Sequence, residues 1–282
     1  MKPRLLVCIP VFGQHDFTRD VIADLDKQDN RDFDVVVIDN RGDYSTTSTE
    51  RVVRPGKNLG WAGGSNFGFR LGFSEGYPLV MSLNNDTRLS PGFIDGLLDP
   101  RLPDDAGIVV PMYDDVTQVQ KGDYLGPAAD YQPVPKVRRV ELYDGTGFIL
   151  TYEAWLAVGE LETRLFGTYS WGADRDLGHR VMEAGFSIYV SELSYMNHLG
   201  RKTVEAEIGL KRYLLSAAGG VLNGMRKTGG LKAWRERTMV PVVTIDLPPK
   251  SSLADPSVKP TLTADELDQL ANGTRTAADR AR

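Results

Sequence analysis

Leu79-Val-Met-Ser-Leu83 is an apolar run of strand length, and it ends in the polar triplet Asn84-Asn85-Asp86. Such a run, bounded by turn residues, is typical of a strand buried on both faces. Two more runs of this kind, Leu5–Ile9 and Asp34–Ile38, precede it, and segments with helical spacing of apolar residues lie between the runs. This alternation predicts an α/β fold with a mostly parallel, doubly wound sheet that carries helices on both faces.

The other predicted elements continue this alternation to residue 110 and then become less regular. A helix is predicted to begin at Ser90-Pro91, with Ser90 as N-cap and Pro91 as the first helical residue. The remaining predictions are helices at 17–28, 62–75, 152–158, 175–184 and 204–225, strands at 51–54, 107–110, 147–151 and 187–190, and loops at 41–50 and around His198.

Composition excludes several classes of protein. The chain has 282 residues, 41% of them hydrophobic and 25% charged, which is ordinary for a globular protein. A net charge of −5 argues against general nucleic-acid binding, and a single Cys excludes a disulfide framework. No apolar run approaches the length of a membrane-spanning helix. A cytoplasmic location, with or without membrane association, is therefore the expectation.

The predicted topology points to one edge of the sheet. In open α/β sheets, ligands bind beyond the carboxyl ends of the strands. The turn at 10–13, the pair Asp39-Asn40 and the triplet 84–86 each follow a predicted strand. Because parallel strands present their carboxyl ends at a common edge, we expect these three segments to converge there.

Four polar motifs have a functional interpretation beside a structural one. Asp86 suits a divalent cation that bridges a diphosphate, or it closes its strand as an Asx-turn. Asp174 and Asp176 suit a general base, or they cap a helix. His198 suits a metal or phosphate ligand, or it is an ordinary surface residue. The Gly-rich run 60–66 presents amides to a phosphate, or it allows close helix packing.

In chain order these motifs form one succession: Cys8-Ile9-Pro10-Val11-Phe12, Val37-Ile38-Asp39-Asn40, Asn58-Leu59-Gly60-Trp61-Ala62-Gly63-Gly64-Ser65-Asn66, Leu83-Asn84-Asn85-Asp86-Thr87, Trp171-Gly172-Ala173-Asp174-Arg175-Asp176-Leu177 and His198. The succession resembles glycosyltransferase family 2, and within it the rhamnosyltransferase-like and galactofuranosyltransferase-like members, over residues 4–200. The resemblance implies a GT-A fold, a nucleotide-diphosphate sugar donor, a divalent cation (Mg2+ or Mn2+) and inversion at the anomeric carbon.

The resemblance also implies a domain organisation. A GT-A glycosyltransferase domain is expected over 1–200, with a nucleotide-sugar-binding half at 1–110 and an acceptor and catalytic half at 111–200. Residues 201–245 are predicted to form a helical extension. Residues 246–282, where Pro, Ser, Thr and Asp dominate, are predicted to be a flexible tail.

Site residues follow from the resemblance by position. Asp174 matches the catalytic base, with Asp176 as the alternative base. Asp86 matches the last Asp of an Asp-x-Asp motif, and His198 matches a metal-ligating histidine. Tyr169 and Trp171 are expected to contact a sugar acceptor, with core packing as the alternative for Trp171. The expected donor-binding residues are Pro10, Val11, Asp39, Asn58, Gly60, Gly63, Gly64, Asn66, Asn84 and Asn85.

Two positions depart from the family pattern. Asn84 replaces an acidic residue, so one anionic metal ligand is missing. Ala173 stands where an acidic residue usually precedes the base. These departures leave open a second function, that of a catalytically inactive sugar-nucleotide-binding module.

The expected acceptor is a glycan, a lipid-linked glycan or a protein. Residues 201–237 carry nine Lys and Arg against three Glu, with Leu214, Leu215, Val221 and Leu222 on the other face of the predicted helix. This pattern fits a membrane-surface helix near a lipid-linked acceptor. It fits equally a solvated face over a packing face, or an oligomer contact. The sugar, the nucleotide and the oligomeric state stay open.

Overall fold

The computed structural model describes residues 4–114, 119–199, 210–237 and 242–250. Within these residues, ten strands form one mixed sheet, in the order β10-β7-β9-β6-β8-β4-β1-β2-β3, with β5 paired to β9 beside this path. The strands are β1 Leu5–Val11, β2 Phe33–Asp39, β3 Arg51–Val53, β4 Leu79–Leu83, β5 Thr87–Leu89, β6 Ala106–Tyr113, β7 Lys136–Val140, β8 Gly147–Thr151, β9 Ser187–His198 and β10 Val243–Asp246.

Seven α-helices and one 3-10 turn are formed by the described residues. The helices are α1 His15–Asp26, α2 Gly60–Ser74, α3 Phe93–Leu97, α4 Tyr152–Val158, α5 Ala173–Glu183, α6 Leu210–Lys227 and α7 Gly230–Arg237, and the 3-10 turn is Ala128–Asp130. None of these helices is both long enough and apolar enough to pass through a bilayer.

The predicted parallel character holds for the first half of the sheet. Strands β3, β2, β1 and β4 are parallel neighbours. Beyond β4 most pairs are antiparallel, because β8 runs against both β4 and β6, and β9 runs against β5 and β7. The exception is the long parallel pair of β6 with β9. The sheet is therefore mixed and not mostly parallel.

Helices cover both faces of the sheet, as a doubly wound fold requires. Alternate residues of β1 point to opposite faces. Leu5, Val7 and Ile9 belong to the core beneath α1 and α3. Leu6 and Cys8 belong to the core beneath α2 and α5. Because both faces of β1 are fully buried, its sequence is a continuous apolar run and not an alternating one.

Close packing of α2 on the sheet depends on glycines spaced four residues apart. A Cβ at Gly64 would lie 3.0 Å from the Cβ of Pro10, and one at Gly68 would lie 2.6 Å from the Cβ of Cys8. Residues spaced by four share one face of a helix. The packing interpretation of the Gly-rich run therefore applies to this face of α2.

Three predicted boundaries are wrong for identifiable reasons. The predicted N-cap Ser90 instead accepts a hydrogen bond from the Tyr195 amide with its Oγ, at 3.1 Å, and Gly92 precedes α3 in a left-handed conformation. Pro10 does not end β1, since it lies beyond the last β1–β4 pair and costs the ladder no bond on that side. His198 ends strand β9 and does not lie in a loop.

The C-terminal part departs from the predicted organisation at one point. The helix predicted over 204–225 is described from Leu210 to Lys227, and residues 204–209 lie outside the described residues. Strand β10, at the predicted end of the helical extension, returns to the sheet and pairs with β7. Of the predicted flexible tail, only residues 246–250 belong to the described part of the chain.

Candidate active site

The carboxyl ends of β1, β2 and β4 meet at one edge, because these three strands are parallel neighbours. The amide of Asn40 donates to the carbonyl of Val11 at 2.9 Å, which closes the end of the β1–β2 pair. Gly64 of α2 packs on Pro10 and beside the Asn40 amide group. The three polar segments expected at this edge are thus brought to it.

Asp39 organises the loop that follows β2. Its carboxylate accepts hydrogen bonds from the amides of Arg41, Gly42 and Tyr44 at 2.7–3.2 Å and from the Arg54 guanidinium at 3.2 Å. Burial disfavours the charged form, but these donors outweigh it and hold the pKa of Asp39 below its usual value. Asp39 is 1% exposed and its carboxylate is fully engaged, so it shapes this edge of the sheet through the loop after β2.

The Gly-rich run 60–66 begins at a hydrogen-bonded turn and ends at a buried asparagine. Asn58 Oδ1 accepts from the Gly60 amide at 2.9 Å, and Gly60 has φ of +68°, which glycine adopts without strain. A Cβ at Gly63 would meet only Leu59 of the preceding turn, at 3.0 Å. Asn66 is 4% exposed, and both ends of its amide bind the backbone of Leu161, at 2.8 and 3.0 Å. The Asn66 side chain is thus bound to the loop after α4 and holds that loop in place.

Strand pairing brings the predicted metal residues together. Thr87 of β5 is opposite His198 of β9. This register places His198 Nε2 3.4 Å from Asp86 Oδ1. Next to them, Asn85 Nδ2 donates to Thr18 of α1 at 3.0 Å, so its side chain points into the packing of α1.

Several carboxylates surround the His198 imidazole. Burial lowers the pKa of His198, but the hydrogen bond and charge of Asp86, followed by the charges of Asp144 and Asp114, raise it above its ordinary value. Asp114 also accepts from the His198 amide at 3.0 Å and so fixes the end of β9. The site therefore has a negative potential that attracts cations.

The chemistry of this pair fits a divalent cation. A carboxylate oxygen and an imidazole nitrogen are ligands that Mn2+ accepts, and a carboxylate also suits Mg2+. The described residues contain no group of three or more His, Cys, Asp or Glu placed to hold a metal ion. A cation bound by Asp86 and His198 would therefore take its other ligands from outside the described residues.

Asp174 lies in the first turn of α5, and its carboxylate is held from two sides. Its Oδ2 accepts from the Gly145 amide at 3.0 Å, and its Oδ1 accepts from the Arg175 amide at 2.9 Å. Burial, followed by the negative charge of Asp144, raises the pKa of Asp174 to about 6. A carboxylate of this kind is ionised at neutral pH and is a stronger base than an exposed one.

Asp176 has a structural partner. Its Oδ2 accepts from Arg180 Nε at 2.9 Å, one helical turn away. The same guanidinium donates to the carbonyls of Val158 and Glu160. Asp176 thus belongs to an ion pair that fastens α5 to the end of α4, and Asp174 is the carboxylate beside the site.

Tyr169 and Trp171, the predicted acceptor residues, lie in the loop that leads into α5, and both are half-buried. The loop is strained at Ser170, which has φ of +55°, and Gly172 follows with φ of +96°. It therefore enters α5 along a fixed path immediately before Asp174.

One loop of the site was not predicted from the sequence. Between β7 and β8, the carbonyl of Thr146 accepts from the Asn84 amide at 2.8 Å, and the amide of Gly145 donates to Asp174. Asp144 accepts from the Thr146 amide at 2.9 Å. The sequence signal that indicates this loop is the turn sequence Asp144-Gly-Thr-Gly147, which leads into a predicted strand.

Trp61 also belongs to the site. A Cβ at Gly145 would lie 2.4 Å from the Trp61 ring, so the indole covers this loop beside Asp174. The indole N–H is buried and finds no hydrogen-bond partner among the described residues. A buried, unsatisfied donor is costly and is common where a ligand supplies the acceptor.

Comparison with known proteins agrees with this geometry. The sequence profile described as "Glycosyl transferase family 2" matches residues 6–156. The uncharacterized proteins Rv1525 of Mycobacterium tuberculosis (strain ATCC 25618 / H37Rv) and Mb1552 of Mycobacterium bovis (strain ATCC BAA-935 / AF2122/97) are each 45% identical over 229 residues, which cover 81% of this chain and 87% of theirs.

Two solved structures are similar in fold. The mannosyltransferase PcManGT from Pyrobaculum calidifontis, in complex with GDP-Man and Mn2+, aligns with a TM-score of 0.56 and 16% identity over 80% of this chain and 64% of its own. GalNAc-T7 with UDP, GalNAc and Mn2+ aligns with a TM-score of 0.53 and 14% identity over 70% of this chain and 44% of its own. The chain has the GT-A fold and belongs to glycosyl transferase family 2.

Proposed function

We propose that this protein is an inverting glycosyltransferase that uses a divalent cation, Mg2+ or Mn2+, to transfer a sugar from a nucleotide diphosphate to an acceptor hydroxyl. The observation that carries the proposal is the loop 144–146, which hydrogen-bonds both to Asn84, at the Asp-x-Asp position, and to Asp174. A donor bound beside Asn84 is therefore close to Asp174, the proposed base. The GDP-Man, UDP and Mn2+ of the two solved structures support the same class of donor and cation.

The donor end of the site is assigned to the edge formed by β1, β2 and β4. Main-chain groups at Pro10 and Val11 and the Asp39-bound loop offer a rigid surface to the nucleoside. The cation, when bound by Asp86 and His198, supplies positive charge to the departing diphosphate. Asp86 and His198 would hold the cation, and through it the pyrophosphate, beside the end of β4.

The acceptor end is assigned to Asp174. Its carboxylate takes the proton of the acceptor hydroxyl as that oxygen attacks the anomeric carbon from the face opposite the nucleotide. The bond from the anomeric carbon to the diphosphate breaks at the same time, so the configuration inverts. The Gly145 and Arg175 amides hold the carboxylate in one orientation for this step.

Ala173 replaces an acidic neighbour of the base, and the structure gives a reason why this is tolerated. The Ala173 side chain is fully buried beneath α5, where a carboxylate would lack solvent and partners. Asp144 brings a negative charge to Asp174 from the adjoining loop instead. We infer that Asp144 replaces the acidic neighbour that Ala173 removes.

The decisive test compares two carboxamide variants. Asp174→Asn should reduce sugar transfer and donor hydrolysis by about 10³-fold or more while the Kd for nucleotide changes less than about threefold. Asp176→Asn is the matched control on the same helix and should keep most of the transfer rate. An equal loss of sugar transfer in both variants would mean that Asp174 is not the base. Donor binding with Mn2+ but no turnover in the wild-type protein would establish an inactive sugar-nucleotide-binding module.

The identity of the donor is accessible by thermal shift. A ligand that binds only the folded protein raises Tm, and at equal concentration a tighter ligand raises it more. We expect one of UDP, dTDP and GDP to raise Tm more than the other two, and only when Mn2+ is present. The sugar nucleotides of rhamnose and galactofuranose are the first to test with the preferred base, and candidate acceptors are glycans and lipid-linked glycans.

A further inference from the structure

The helices α6 and α7 form a unit that packs on the loop before the base. On its inner side, a Cβ at Gly220 or Gly224 would collide with Phe166, so the helix backbone lies directly on that residue. Trp234 is 2% exposed, and its ring lies tilted against that of Phe166, with 5.8 Å between the ring centroids. Its Nε1 donates to Thr228 at 2.8 Å. The inner face of the unit is therefore fixed against the domain.

The outer face carries one repeated pattern. Leu222 is 59% exposed on α6, and the exposed Arg226 follows it four residues later. Leu231 is 69% exposed on α7, and the exposed Arg235 follows it at the same spacing. Residues four apart lie on one face of a helix, so each leucine has a cation beside it.

The charge of this unit is opposite to that of the whole chain. Residues 210–237 contain seven Lys and Arg and one Glu, whereas the chain has a net charge of −5. Lys227, directly after the first Leu–Arg pair, and Lys232, within the second, are also exposed. A local cationic surface on an acidic protein is complementary to a negatively charged partner.

We propose that the outer face of α6 and α7 binds the surface of a lipid bilayer that contains anionic lipids. Separated leucines flanked by long cationic side chains match an interfacial helix, whose apolar residues enter the headgroup boundary while its cations meet lipid phosphates. We commit to a bilayer and not to a protein partner because the positive charge of the unit is complementary to lipid phosphates. The inference goes beyond the proposed function, because it concerns where the protein binds and not what it transfers.

The test is vesicle flotation with the full chain, without donor or acceptor, so the result is independent of transferase activity. Binding to vesicles with 30% phosphatidylglycerol should exceed binding to pure phosphatidylcholine by about tenfold or more and should weaken in high salt. The charge reversal Arg226→Glu with Lys232→Glu should weaken binding by about tenfold or more, and Leu222→Ser with Leu231→Ser should also weaken it.

The control variant combines Lys27→Glu, an exposed cation directly after α1, with Leu156→Ser, a 60% exposed leucine on α4, and should bind as the wild type does. Circular dichroism checks that each variant is folded. Equal binding to both vesicle types, or equal loss in the control, would overturn the proposal. So would a wild-type dimer that the two serine substitutions dissociate, because a second copy of the chain would then cover this face.

Discussion

The carboxylates of Asp144 and Asp174 interact, and this interaction predicts how the transfer rate depends on pH. The pKa of Asp174 is about 6, raised by burial first and by Asp144 second. The base must be ionised to accept a proton, so transfer should fall as pH drops through this value. Asp144→Asn removes a negative charge, so the pKa of Asp174 falls and the acidic limb of the kcat profile moves to lower pH.

This prediction is checked with pH–rate profiles at saturating donor and Mn2+. Asp16→Asn is the control, because Asp16 is exposed on α1. We expect its acidic limb to coincide with that of the wild type. An unchanged limb in Asp144→Asn would show that Asp144 does not act on the base.

Asn66 gives a second prediction at this scale, because its two hydrogen bonds to Leu161 are buried. Asn66→Ala leaves the Leu161 amide and carbonyl without partners, which should lower the free energy of unfolding by about 1–3 kcal/mol per unpaired group. Urea unfolding measures this loss. We expect the donor Kd to stay near the wild-type value, and a large change in Kd with unchanged stability would return Asn66 to the donor site.

At the scale of the element, the packing of α2 on β1 predicts the effect of one added methyl group. A Cβ at Gly68 would lie 2.6 Å from Cys8 Cβ, an atom fixed by the strand backbone, so no rotamer change relieves the contact. Gly68→Ala should destabilise by about 1–3 kcal/mol through overpacking, less about 1 kcal/mol gained in helix propensity.

Gly219→Ala is the matched control on α6, where an added Cβ meets no neighbouring atom within 4 Å. It should be neutral or stabilising by up to about 1 kcal/mol in a chemical denaturation series. A Gly68→Ala protein as stable as the wild type would mean that α2 can move away from the sheet at little cost.

Elements of strong local pattern are the ones whose limits are predictable from sequence. Strands β4 and β8 and helix α4 have the predicted bounds, because their apolar runs meet clear turn residues. Strands β5 and β7 were missed, since each is short and carries Arg or Lys within it. Pairing with distant strands defines them, with β9 for both and also with β10 for β7. Ser90 failed as a cap because its partner, Tyr195, is 105 residues away.

The same distinction holds for the site. Asp86, Asp174 and His198 were identified from their motifs, and the pairing of β5 with β9 brings the first and last of these together. Asp144 was not identified as a site residue, and Trp61 was identified only as part of the run 60–66, because their contacts depend on a loop that connects two distant segments. Sequence proximity carries no signal for a contact of that kind.

At the scale of the whole molecule, Trp234 fastens the C-terminal helices to the rest of the chain. Its ring lies against Phe166 and 6.0 Å from His179 of α5. Trp234→Ala removes this contact, and a buried Trp→Ala change typically costs about 3–5 kcal/mol. We expect the sheet domain to stay folded while α6 and α7 separate from it.

Limited proteolysis should then cut the variant near the turn at 228–230 at a concentration of protease that leaves the wild type intact. The conservative Trp234→Phe variant keeps most of the packing and should be cut more slowly. A single cooperative unfolding transition at lower urea, without early cleavage, would instead mean that the helices and the sheet unfold as one unit.

The sole thiol of the chain, Cys8, is fully buried between the central strand and α2, and burial raises its pKa further above the usual value. A reagent that modifies thiolates can reach it only when this contact opens. The rate of Cys8 modification therefore measures how often the contact between β1 and α2 opens. Donor and cation should lower this rate if they close the edge of the sheet, and the measurement needs no added probe.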